Sequence, residues 1–225
     1  MILEKVANFA ILASLYLFTY DLNHMLPKPF DQLGPTALKT LFRKKGEYLF
    51  RQGDRTQGVY YVQSGQARLS RVTQAGELVT LHSARKGDTF AEASIYVPHY
   101  HCDALCHEEG IFIRISSLAI INAQRANLAF SAALTQRLAR QVVEYRQLVT
   151  VMGIKSAQER VFTAIKTGVM HGTITQFATQ IGLSREACYR ALSALYQEGR
   201  LVKVKRGHYH VVNGSAHTSE ERFSQ

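Results

Sequence analysis

The chain has 225 residues, with 27 Lys and Arg against 17 Asp and Glu and a formal charge of +10, an excess that asks for an anionic partner such as nucleic acid or an acidic membrane face. Hydrophobic residues make up 46% and charged ones 20%, which supports buried cores and excludes a disordered basic tail. Three Cys, an odd number, argue against a disulfide framework and for a reducing compartment, the cytoplasm.

The first feature in chain order is the apolar run Val6–Tyr20. It is shorter than the roughly 20 residues a bilayer span needs. Glu4 and Lys5 precede it in place of a clearly positive region, and no small-residue cleavage site follows. The run is read as a helix packed in or on the fold, with a natural start at Met25 as the alternative. From Lys45 to about Ile115, Gly46, Gly53, Gly58, Gly65, Gly76 and Gly87 punctuate short β-rich runs at 58–62, 67–72 and 78–81. That rhythm predicts an antiparallel sandwich or barrel, with a hairpin turn at Ala75-Gly76-Glu77.

Residues 127–152 contain neither Gly nor Pro and predict one long helix. Leu134, Leu138, Gln141, Tyr145, Leu148 and Met152 follow one another at alternating intervals of four and three, an a/d seam. At about 39 Å the helix is long for a globular protein, so the seam is expected to face a second copy of the chain, with Gln141 fixing register. The competing reading packs the stripe on the protein's own β domain. Gly153 ends the helix, and the remainder carries ten Lys and Arg against five Glu, so half of the net charge lies in the last third.

Within that third, Thr173–Leu195 has the pattern of a helix-turn-helix. Ala178 is small where two helices approach, Gly182 supplies the turn, and Ile174, Ile181, Leu183, Cys188 and Ala191 are the apolar positions that lock the pair. Ser184 is the expected N-cap of the second helix. Arg185, Glu186, Tyr189 and Arg190 fall on one outward arc, where a recognition helix would meet base edges, and Glu186 is placed to pair with Arg190. Residues 200–205 and 208–212 flank Arg206-Gly207 as a two-stranded wing whose Lys203, Lys205 and Arg206 would reach phosphates.

On these residues the chain resembles the cyclic-AMP receptor/Fnr (CRP/FNR) superfamily of bacterial transcription regulators over roughly Lys45–Val212. The most specific motif is Gly182-Leu-Ser-Arg-Glu-Ala-Cys-Tyr-Arg190, similar to the family pattern G-x-S-R-E-x-x-x-R. The resemblance implies an α+β chain: an N-terminal double-stranded β-helix (a cyclic-nucleotide-binding-like jelly roll), a long dimerisation helix and a C-terminal winged helix-turn-helix. It divides the chain into an apolar N-terminal segment (1–30), a β-roll sensor domain (31–126), the dimer helix (127–152), the winged domain (153–213) and a flexible tail (214–225). It further implies a non-enzymatic homodimer on double-stranded DNA, recruiting or blocking RNA polymerase at palindromic sites with TGTGA-like half-sites. Ser184 would hold a phosphate while Arg185, Glu186 and Arg190 read bases.

The sensor departs from the nucleotide-binding pattern. Glu92 fits the ribose-binding position, but the preceding glycine is Ala91 and the phosphate-binding Arg-Ser pair is Cys102-Asp103. The adenine-contacting pair on the helix is Tyr145-Arg146. A buried phosphate beside Asp103 would meet repulsion without a cation, so cyclic AMP is not expected to bind. The effector is left unassigned, with Arg146 or Arg114 open to a different anion. The stretch His99–His107 gathers three His and two Cys, the ligand types of zinc, haem or redox sites, although its spacing matches no strong metal pattern. As a strand it would point Cys102, Ala104 and Cys106 one way and His101, Asp103 and Leu105 the other, with the thiols too far apart for a mutual disulfide. Buried structural cysteines are the first reading, a redox or metal- or haem-responsive regulator the second. No metal ligand or catalytic residue is assigned. An effector-independent regulator, a β-barrel metalloenzyme and a membrane-peripheral protein anchored by Val6–Tyr20 complete the alternatives, the membrane being excluded in the favoured reading.

Overall fold

The computed structural model describes residues 25–170, 172–205 and 207–212. The Val6–Tyr20 run, Arg206 and the tail 214–225 lie outside them. The chain divides into two compact units with the boundary between Gln141 and Val142.

In the first unit the strands are β1 (Leu38–Arg43), β2 (Tyr48–Phe50), β3 (Gly58–Val62), β4 (Gln66–Val72), β5 (Leu78–Arg85), β6 (Thr89–Phe90), β7 (Asp103–Glu108) and β8 (Gly110–Ser116). They form two four-stranded antiparallel sheets, ordered β1-β8-β3-β6 and β2-β7-β4-β5. The β4–β5 hairpin turns at the expected place, where Gly76 adopts φ +80° and its N–H donates to Thr73 O at 3.0 Å. Side chains from both sheets meet in one core: Leu49, Phe50, Ala67, Leu69, Ala104 and Cys106 from one, Tyr60, Val62, Phe90 and Phe112 from the other. The arrangement is a jelly-roll-like β domain.

Strand β3 is buried along its whole length, because its two faces are both apolar. Tyr60 and Val62 point into the sandwich, while Val59 and Tyr61, with Ile113 and Ile115 of β8, form an outer apolar face. That face needs a cover. Leu26, Phe30 and Leu33 supply part of it, together with Ile120 of helix α1 (Ser117–Ala126) and Phe130 and Leu134 of helix α2 (Leu128–Gly153). Helix α1 is capped by Ser116, whose Oγ accepts from Ala119 N at 3.4 Å, and α2 starts where Asn127 Oδ1 accepts from Phe130 N at 3.1 Å.

This packing corrects the expected seam. Leu134 is 1% exposed and belongs to the outer core of the β domain, with Leu138 packed beside it. Gln141 reaches Glu92 of its own chain, and Leu148 packs on the core of the second unit. The stripe is absorbed because a sheet that is apolar on both sides draws the nearest helix onto itself. Tyr145 and Met152 are the two members that stay largely exposed.

The second unit contains the end of α2, then α3 (Ala157–Lys166), α4 (Ile174–Gln180), α5 (Arg185–Gln197) and a hairpin of β9 (Leu201–Lys205) and β10 (His208–Val211). Its core is Val151, Val161, Ala164, Ile174, Phe177, Ala178, Ile181, Cys188, Leu192, Leu195 and Leu201. Helix α3 is capped by Ser156, and Thr173 with Gln176 forms a reciprocal capping box at the start of α4.

Candidate nucleic-acid interface

Helices α4 and α5 are joined by the turn 181–184, in which Gly182 takes φ +67°. A left-handed residue at the end of a helix favours glycine, because any Cβ there would crowd the following carbonyl. Ala178 is fully buried where the helices approach. Ser184 then caps α5, its Oγ accepting from Ala187 N at 3.1 Å. A hydroxyl engaged in this way still has a lone pair and its own proton for a phosphate.

The cap fixes the rotation of α5. Cys188, Ala191, Leu192 and Leu195 enter the core, so Arg185, Glu186, Tyr189 and Arg190 emerge to solvent. Burial pushes the Cys188 thiol up to about 11, which makes it an inert core residue. Among the described residues the expected Glu186–Arg190 ion pair is not made. Instead the Arg185 guanidinium lies over the Tyr189 ring, 5.6 Å from its centroid. In the hairpin, Lys203 pairs with Tyr209 and Lys205 with His208, and both lysines are exposed. Arg206 lies outside the described residues.

The helix α2 presents a different stripe to solvent. Leu128, Ala132, Thr135, Ala139, Val142, Arg146 and Val149 are all exposed and follow one another at alternating steps of four and three. Leu128 is 86% exposed, Val142 48% and Val149 69%. It is an a/d register offset from the expected one, and Arg146 belongs to it.

The sensor candidates differ in their surroundings. Glu92 is buried, and its Oε1 accepts from Gln141 Nε2 at 2.9 Å and from the Thr89 hydroxyl, with Arg137 Nη2 at 3.7 Å. Arg137 also donates to Thr89. Asp103 accepts from Gln52 N at 2.7 Å. Cys102 is buried, and burial reinforced by the Asp103 charge raises its thiol pKa. Tyr145 and Arg146 are exposed on α2. The interior is filled by rings: Phe50 stacks on Tyr100 at 3.7 Å between centroids, and Tyr60 on Phe90 at 5.2 Å. Sequence reasoning missed Thr89 and Arg137. A signal for Arg137 existed, since a buried carboxylate requires a cation and this arginine stands four residues before Gln141 on the helix.

In the His99–His107 stretch, Cys102, Ala104 and Cys106 are buried and Asp103 and Leu105 lie on the other side, the alternation expected of a strand. Burial also raises the Cys106 pKa, and its Sγ donates to the Glu108 and Arg43 carbonyls. Among the described residues, no three His, Cys, Asp or Glu converge as a metal-binding group. Nor is any described helix long and apolar enough to cross a membrane.

Residues 41–127 match the cyclic nucleotide-binding domain family. No curated protein matches the sequence. Among solved structures, FixK2 from Bradyrhizobium japonicum is similar at 19% identity and a TM-score of 0.61, with 78% of this chain and 93% of that one covered. The c-di-GMP-responsive global regulator CLP of Xanthomonas campestris matches at 16% identity and a TM-score of 0.54, covering 80% of this chain and 96% of that one. A CRP-family transcriptional regulator from Thermus thermophilus matches at 17% identity and a TM-score of 0.52, covering 77% of this chain and 91% of that one. Residues 41–127 thus match the cyclic nucleotide-binding domain family, and the chain shares its fold with FixK2 and with the CRP-family transcriptional regulator of Thermus thermophilus.

Proposed function

We propose that the chain is a cytoplasmic, sequence-specific DNA-binding regulator that acts as a homodimer with RNA polymerase as its partner. The observation that carries this reading is α5, whose core face fixes four polar side chains on the opposite, exposed face beside a lysine-bearing hairpin. In this reading α4, α5 and the hairpin are a winged helix-turn-helix. Ser184, Lys203, Lys205 and Arg206 hold phosphates, while Arg185, Glu186, Tyr189 and Arg190 face base edges. The sites are palindromic with TGTGA-like half-sites. The two copies meet along Leu128, Ala132, Thr135, Ala139, Val142, Arg146 and Val149, which the β domain leaves uncovered.

The β-roll acts without cyclic AMP in this reading. Glu92, the ribose-binding candidate, is occupied by three groups of its own chain, and Cys102-Asp103 offers a phosphate no cation. The same network favours a second reading, a regulator that needs no small effector. Raised thiol pKa values at Cys102 and Cys106 disfavour redox sensing, because the thiolate is the reactive form.

Fluorescence anisotropy of full-length protein on TGTGA palindromes and on random duplexes tests the proposal. Wild type should prefer the palindrome, with or without added cyclic AMP. Arg185→Ala and Glu186→Ala should each lose roughly 1–3 kcal/mol of discrimination at one half-site position while random-sequence binding is kept. Equal affinity of wild type for both duplexes would overturn the reading.

A further inference from the structure

In the second unit one guanidinium joins two backbone segments. Arg160 of α3 donates from Nε to Ile154 O at 2.8 Å, immediately past the end of α2. Its Nη1 donates to Ile181 O at 3.2 Å and Gly182 O at 3.3 Å, the turn that leads into α5. A Cβ built on Gly182 would lie 3.6 Å from Met152 Cε and 3.7 Å from Arg160 Nη1, so the turn rests against the last turn of α2 as well. The carbonyls at helix ends have no intrahelical donor and carry the negative pole of the helix. A planar, permanently charged fork can satisfy two such ends at once, which the single ammonium of lysine cannot do with the same geometry. The segments joined are the exit of the helix assigned to dimer contact and the entrance of the helix assigned to DNA.

We infer that Arg160 is a positioning residue for DNA readout: it fixes α5 relative to the end of α2 and thereby sets which spacing between half-sites the dimer accepts. The inference rests on the homodimeric DNA-binding reading above. Two recognition helices engage successive major grooves only when they are held about 34 Å apart, so the angle between each helix and the dimer axis selects the spacing. Val151 and Leu148 of α2 pack in the same core as Val161, Phe177 and Ile181, which leaves the hydrophobic contact in place when the guanidinium is removed. Loss of Arg160 should therefore loosen orientation more than it unfolds the unit.

The test measures full-length wild type, Arg160→Ala and Arg160→Lys on duplexes whose half-site separation is unchanged or altered by one base pair. Random duplex and a melting curve serve as controls. Wild type should prefer one spacing. Arg160→Ala should lose about tenfold of that preference, the factor expected for roughly one charge-assisted hydrogen bond, with random-duplex affinity unchanged. Arg160→Lys, which keeps the charge and serves as the second variant should alanine fail to fold, should also lose spacing preference. A uniform loss of affinity on every spacing, in parallel with a lowered melting temperature, would assign Arg160 to stability alone and overturn the inference. Full preference in the lysine variant would overturn the bridging geometry. If wild type binds no duplex in preference to random DNA, the DNA-binding reading itself fails.

Discussion

At the residue scale, Gly58 and Gly110 are required by close approach. A Cβ on Gly58 would stand 2.0 Å from Ile115 O, and one on Gly110 would stand 2.1 Å from Ser64 O. Neither position can accept alanine without moving a strand of the sheet. Gly46 has φ +88° with open space around it, so alanine there meets only the left-handed penalty. Gly110→Ala should destabilise the β domain by more than about 3 kcal/mol, against roughly 1 kcal/mol for Gly46→Ala, as read from chemical denaturation. The sequence marked Gly46 and Gly58 alike as turn punctuation. It could not distinguish a turn from the point where one strand leans on another, because the obstructing carbonyl belongs to a strand remote in sequence. Ala91 shows the converse: it sits at φ +69°, a region that favours glycine, just ahead of buried Glu92.

At the element scale, β7 and β4 carry a pH dependence. His107 faces Arg68, whose Nη2 lies 3.0 Å from the imidazole nitrogens, so the ring must accept and is neutral. Burial, reinforced by the Arg68 charge, lowers its pKa below 6.5, while Glu108 acts in the opposite sense. The unfolded chain therefore binds the proton more readily than the folded one. Stability from this site is complete above the unfolded value of about 6.5 and is lost as pH falls through that value toward the folded one. Urea denaturation followed as the pH is lowered from about 7.5 through 6.5 should show a decline that His107→Gln reduces. Strand β7 itself was legible in its alternation, and α5 in its cap and apolar spacing. The partner of each exposed side chain was not: Arg185 chose the Tyr189 ring, and Glu186 and Arg190 stayed apart.

At the scale of the whole molecule, one stripe of α2 belongs to the fold, and the other is the stripe assigned to assembly in the proposed dimer. Leu134→Ala removes a fully buried side chain and should cost about 2–5 kcal/mol in the β domain, leaving the oligomeric state unchanged where the protein remains folded. Val142→Glu places a charge on the exposed stripe and should yield folded monomer. Light scattering combined with thermal melting checks both. Dimer loss in Leu134→Ala with its fold intact, or an undisturbed dimer in Val142→Glu, would return the interface to the first seam.

The sequence alone determined an antiparallel β sandwich or barrel, the long helix and the helix pair at Ala178–Gly182. Each is set by local rules: glycine and proline placement, hydrophobic period, and caps that act within about four residues. It also located the arc Arg185–Arg190, because helical geometry converts spacing into direction. Only the tertiary structure decided which α2 stripe is buried. Two a/d registers coexist on that helix, and the choice between them depends on an outer sheet face made by Val59, Tyr61, Ile113 and Ile115, remote in sequence. The same holds for Glu92, whose ion pair with Arg137 and hydrogen bond from Gln141 join the turn after β6 to a helix far along the chain. Periodicity states which side chains share a face, and the neighbours folded against that face settle what it meets.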